Sequence, residues 1–164
     1  MKEGNPYIVL VQRDARLIDM TEKYVKRTMK KNDVCNMLFC TDDAVKALDE
    51  LRSHSVDILI TSHALESSDG KYWDSSILAE KAYHEAPGVM VIRYTASPGL
   101  PTDQRNVAAD VEKPGTDAGA VISFIASPSL GDILRTQDWD RLKKENPTFR
   151  FYDDVLERLR PQVT

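Results

Sequence analysis

The chain has no apolar run of membrane-spanning length, and Met1 to Pro6 offer no hydrophobic leader segment. A spanning helix is therefore excluded and a soluble, cytoplasmic protein is expected. There is no basic excess: 22 Lys and Arg stand against 26 Asp and Glu, a net charge of −4, with no block of one sign. Nucleic acid and anionic membranes both reward a basic face, so neither is expected as a direct partner. The seven glycines are scattered and build no phosphate-cradling loop. His54 and His84 stand at no metal-ligand spacing, and no paired acid–base or nucleophile set occurs. No enzyme, no metal and no cofactor are expected. Only two cysteines are present, Cys35 and Cys40, inside an apolar stretch from Val34 to Cys40 that reads as a strand. An odd separation places them on opposite faces, so they cannot bridge each other, and they read as small buried hydrophobes in a reducing compartment.

What is present is a regular alternation. Tyr7 to Val11 is a continuous apolar run suited to a strand covered on both faces. Leu17, Met20, Tyr24, Val25 and Thr28 recur at helical spacing from about Ala15 to Lys30. A second strand is predicted over Val34 to Phe39, then a helix capped by Thr41 with Ala44, Val45, Leu48 and Leu51 inward. Val56 to Thr61 reads as the third strand, Ser67 to Gly70 as a turn, and Trp73 to Glu85 as a helix stopped by Pro87-Gly88. Val89 to Tyr94 and Ala109 to Glu112 complete the strands, and Asp117 to Ile125 the repeat's last helix. Five strands alternating with helices predict a doubly wound α/β domain with a five-stranded parallel sheet.

The landmarks fall in a familiar order. Ser62 ends the third strand, Asp69-Gly70 follows seven residues later, Thr95-Ala96 ends the fourth strand and Lys113-Pro114 the fifth. This order resembles the receiver domain of two-component response regulators over about residues 6 to 126, with a flavodoxin-like fold. In that family the third strand ends in a phospho-acceptor aspartate, and the carboxylates that hold magnesium sit just after the first strand. Here Ser62 takes the acceptor position, and Gln12 and Arg13 take the metal positions, with Asp14 one place late. Phosphoryl transfer needs the carboxylate nucleophile and a carboxylate-bound cation together. Only Thr95 and Lys113 match the family's pocket. The resemblance therefore implies a pseudo-receiver: signalling or transcription control through protein contacts, independent of phosphorylation. Gln12, Arg13, Asp14, Ser62, Thr95 and Lys113 are expected to form a static polar cluster, with Asp14, Glu112 or Glu66 balancing Arg13. The alternative is an atypical receiver, or a site for an anion or small molecule at the strand ends.

Two stretches depart from the family. The link from Thr95 to Lys113 is short and carries Pro98 and Pro101, so a degenerate fourth helix is expected there. A C-terminal extension, residues 129–164, follows a receiver-like domain of residues 1–128. In it Phe149, Phe151, Tyr152, Val155, Leu156 and Leu159 form one apolar group of helical spacing. Such a face either packs on its own domain or serves as a constitutive interaction surface for a protein partner, most simply a homodimer.

Overall fold

The computed structural model describes residues 5–95, 105–112 and 119–159. Its first half follows the alternation read from the sequence. β1 (Tyr7–Val11) leads into α1 (Ala15–Lys31), and β2 (Met37–Thr41) into α2 (Ala44–Ser53). β3 (Ile58–Ser62) is followed by two two-residue strands, β4 (Ala64–Leu65) and β5 (Trp73–Asp74), paired antiparallel. Then come α3 (Ser75–Glu85), β6 (Met90–Thr95), β7 (Val107–Glu112) and α4 (Gly119–Ile125). The expected degenerate helix falls on residues 96–104, outside the described residues, and Lys113 also lies outside them.

Both faces of the sheet are covered, as the apolar strands require. Ile8, Leu10, Ile58, Ile60 and Ile92 pack against Val25 of α1 and Val121 and Phe124 of α4. Their strand neighbours Val9, Val11, Leu59 and Val91 point the other way, against Ala47 and Leu48 of α2 and Leu78 and Ala82 of α3. Each of these Val, Leu, Ile and Phe side chains contributes about 1.5–3 kcal/mol on full burial.

Several boundaries differ from expectation. The second strand starts at Met37, because Asp33 takes a left-handed turn and the buried Asn36 side chain donates to the carbonyls of Ile125 and Ser127. Cys35 thus precedes the strand and is exposed, while Cys40 is half-buried. Asp43, not Thr41, caps α2 by accepting from the amide of Val45 at 2.9 Å. Asp74 does the same for α3 through Ile77, leaving Trp73 in the short ladder instead of the helix.

The larger correction concerns the tail. α5 (Leu130–Thr136) and α6 (Trp139–Glu145) bury Leu130, Ile133, Trp139 and Leu142 in the same core as the sheet. Phe149–Phe151 is then a strand, β8, antiparallel to β7, and only Asp153–Arg158 is helical, as α7. The central sheet has six strands in the order β2-β1-β3-β6-β7-β8, of which the first five are parallel. Phe149 and Phe151 stand two apart, a strand period that the helical positions after them disguise. The expected interaction surface is consequently taken up inside the molecule. Phe149, Val155 and Leu156 are buried, and Phe151, Tyr152 and Leu159 pack half-buried against the same cluster. Phe149 meets Phe124 of α4 with ring centroids 5.2 Å apart.

Leu156 is 1% exposed. Replacing it with alanine is expected to lower stability by about 2–5 kcal/mol in urea unfolding, the range for a buried leucine. A loss under about 1 kcal/mol would mean that the tail does not share the core.

Candidate functional site

In a parallel sheet the strand C-termini carry the loops that bind and react. Here those ends bring together Gln12 after β1, Ser62 at the end of β3 and Thr95 at the end of β6. β1 and β3 pair through Val11 and Thr61, so Gln12 and Ser62 each lie one residue beyond the last matched pair. Gln12 is 1% and Ser62 4% exposed. Neither the Gln12 amide nor the Ser62 hydroxyl has a hydrogen-bond partner among the described residues. Thr95 is also buried, and Thr61 closes the end of β3 by donating its hydroxyl to the carbonyl of Ser62 at 2.9 Å.

The charged residues next to this pocket have other occupations. The Asp14 carboxylate accepts from the amide of Arg16 at 2.9 Å and caps α1. Arg13 reaches the Glu66 carboxylate at 3.1 Å, across the loop after β3. Asp14 and Glu112 were the favoured carboxylates for Arg13, and Glu66 is the one bonded instead. Both side chains are more than half exposed, at 64% and 61%, so the pair is weak. His63 turns its ring away from Ser62, with Nδ1 at 3.2 Å from Oγ of the fully buried Ser75. This contact anchors the loop to the start of α3. The loop is tied down again on α2, where Ala44 donates to the carbonyl of Glu66 and the Asp43 carboxylate accepts from the amides of Val45 and Ser68. Burial works to raise the Asp43 carboxyl, but the bonds from Ser68 and Val45 outweigh it and hold the group below its ordinary value.

A second polar constellation lies deeper and was not anticipated. Arg93 of β6 and Asp110 of β7 face each other in register. Arg93 donates from Nε to Oδ1 at 2.6 Å and from Nη2 to Oδ2 at 2.7 Å, a two-pronged pair at 5% and 0% exposure. The Tyr152 hydroxyl donates to the same carboxylate at 2.5 Å, and its amide donates to the carbonyl of Ala108 at 2.8 Å. The bond to Asp110 holds the Arg93 guanidinium above its usual range, and burial raises the Tyr152 phenol. The signal in the sequence was a charge in the interior of each of two largely apolar strands, Arg93 in Met-Val-Ile-Arg-Tyr-Thr and Asp110 in Val-Ala-Ala-Asp-Val-Glu. No group of three His, Cys, Asp or Glu among the described residues is arranged to hold a metal ion.

Compared by sequence, the chain matches no family model and no curated protein. By structure it is similar to the signal receiver domain of an HD domain-containing protein from Pseudomonas fluorescens. That match has a TM-score of 0.61 and 19% identity over 81% of this chain and 99% of the other. It is also similar to the receiver domain of RcsB from Salmonella enterica, TM-score 0.52, 16% identity, over 95% and 99% of the two chains. The receiver domain of a Francisella response regulator matches with a TM-score of 0.53 and 15% identity, over 82% and 99%. The fold is that of response-regulator receiver domains, with extra C-terminal helices.

The two polar clusters differ in what their loss costs. Asp110→Asn leaves a buried guanidinium without its carboxylate and is expected to destabilise by about 3–5 kcal/mol. Arg13→Ala removes an exposed pair and is expected to cost at most about 1 kcal/mol. Guanidinium unfolding of the two variants measures the difference; equal losses would contradict this ranking.

Proposed function

We propose that this chain is a pseudo-receiver: a receiver-like module that takes no phosphoryl group by the receiver mechanism and acts through protein contacts in signalling or transcription control. The observation that supports this reading is the state of the strand-end pocket. The acceptor position holds a buried serine and the first metal position a buried amide, both neutral. Serine is a poor nucleophile without a neighbouring base, and His63 is engaged with Ser75 instead. Arg13 brings a positive charge to the second metal position, and Asp14 is used as a helix cap. A hard divalent cation requires several oxygen ligands, and these positions supply no free carboxylate.

In receivers the attached phosphate draws the threonine inward and repositions the fourth helix. A chain without the phosphate keeps one conformation, which suits constitutive recognition of a cytoplasmic partner. Under this reading the protein is not an enzyme and needs no cofactor.

One observation favours a second reading. The Gln12 amide and Ser62 hydroxyl are buried polar groups without partners among the described residues, and such groups are costly unless something bonds them. A small polar molecule at the strand ends would supply those bonds.

Intact-mass spectra after acetyl phosphate and magnesium treatment are expected to show the unmodified chain. Ser62→Asp alone is expected to stay unreactive, because the cation still lacks ligands. A stable single phosphoryl addition abolished by Ser62→Ala would overturn the pseudo-receiver reading. A small molecule retained through native mass spectrometry and lost in Gln12→Leu would favour the second one.

A further inference from the structure

The two edges of the central sheet are finished differently. One edge is β8, only three residues long with the charged Arg150 at its centre. On the other side β2 is paired only with β1 among the described residues. Backbone hydrogen bonds fix which groups of β2 turn outward. Met37 donates its amide to Pro6 at 2.9 Å, and Thr41 accepts from Gln12 at 3.1 Å. Met37, Phe39 and Thr41 thus direct their peptide groups towards β1, and Leu38 and Cys40 direct theirs away from the sheet. The strand is Met-Leu-Phe-Cys-Thr, with no charge and no proline. Those are the features that normally stop an open edge from pairing. Met37 is 51% exposed, and Leu38, Phe39 and Cys40 are half-buried.

Helix α1 runs over this edge. Glu22, Lys26 and Asp19 lie close to the Cys40 thiol. Lys26 also bonds Glu22 at 3.3 Å, so the two share one side of the helix. A crossover helix runs opposite to its strands. Asp19 and Glu22 therefore lie towards the end of β2, and Lys26 and Lys30 towards its start.

We propose that β2 is a self-association edge, on which two copies of this chain pair antiparallel about a two-fold axis at Phe39. Leu38 of each copy then exchanges both backbone bonds with Cys40 of the other, so each outward peptide group of the two residues finds a partner. Phe39 faces its own counterpart, and Met37 faces Thr41. The charges fit the same arrangement. One step from Cys40 to Phe39 is about 3.3 Å of strand, or roughly two residues of helix at about 1.5 Å each. The axis falls level with about residue 24 of α1, which brings Glu22 of one copy level with Lys26 of the other. This surface is separate from the strand-end pocket, and the proposal does not depend on how that pocket is read.

Sedimentation velocity on the full chain over a range of concentrations tests it. The expected result is a monomer–dimer equilibrium that weakens as salt rises. Glu22→Lys and Lys26→Glu, both at positions outside the core, should each weaken the dimer several-fold, since each places like charges together twice. The double variant with both changes restores opposite charges across the axis and should return association towards that of the parent chain. Circular dichroism on all three variants checks that the fold is kept. A parent chain that stays monomeric at every concentration overturns the proposal and leaves the edge for a strand of some other protein. A dimer that ignores the single changes, or a double variant no tighter than the singles, overturns it as well.

Discussion

Arg93 and Asp110 occupy neighbouring buried strands, and each satisfies the other through two short bonds. Both side chains are almost fully buried, so breaking this pair is expected to cost several kcal/mol. β6 and β7 are therefore held to one register. Tyr152 extends the constraint, because its hydroxyl completes the Asp110 carboxylate while its amide bonds β7. The tail is positioned by this contact: β8 lies along β7, and α7 follows with Val155 and Leu156 in the core. A polar interaction thus determines where an apolar segment packs, and that packing occupies the residues that would otherwise form a sticky surface.

The strand-end pocket has the opposite character. Among the described residues its buried polar groups are neutral, and Arg13 and Asp14 beside it are exposed and loosely paired or committed to helix capping. The loop after β3 is held by the Asp43 carboxylate, the Glu66 carbonyl and the His63–Ser75 contact.

The central parallel strands β1, β3 and β6 were legible in the sequence because each is an apolar run with both faces covered, whereas the half-exposed edge strand β2 was placed three residues early. Helix ends were less legible. Thr41 and Asp43 are both good caps, and the choice between them depends on the loop from Glu66 to Ser68, which arrives from elsewhere in the chain. The tail misled for a physical reason: Phe149 and Phe151 follow a strand period while Tyr152, Val155 and Leu156 follow a helical one, and the two join without a gap. Ser62 and Gln12 were recognised by position. The partners of Arg93, Asp110 and Tyr152 were not, because pairing over 17 and 42 residues has no local signature.

The central claim is that the strand-end pocket does not act as a phosphate switch. Amide chemical shifts of the full chain, recorded while magnesium and then the phosphate mimic beryllofluoride are added, test it most directly. The account predicts no saturable shift at Ser62, Thr95 or the amides of β7 and β8. Saturable shifts at Ser62 and Thr95 that propagate to β7 would contradict it, since they would show an anion bound at the acceptor position and transmitted across the sheet.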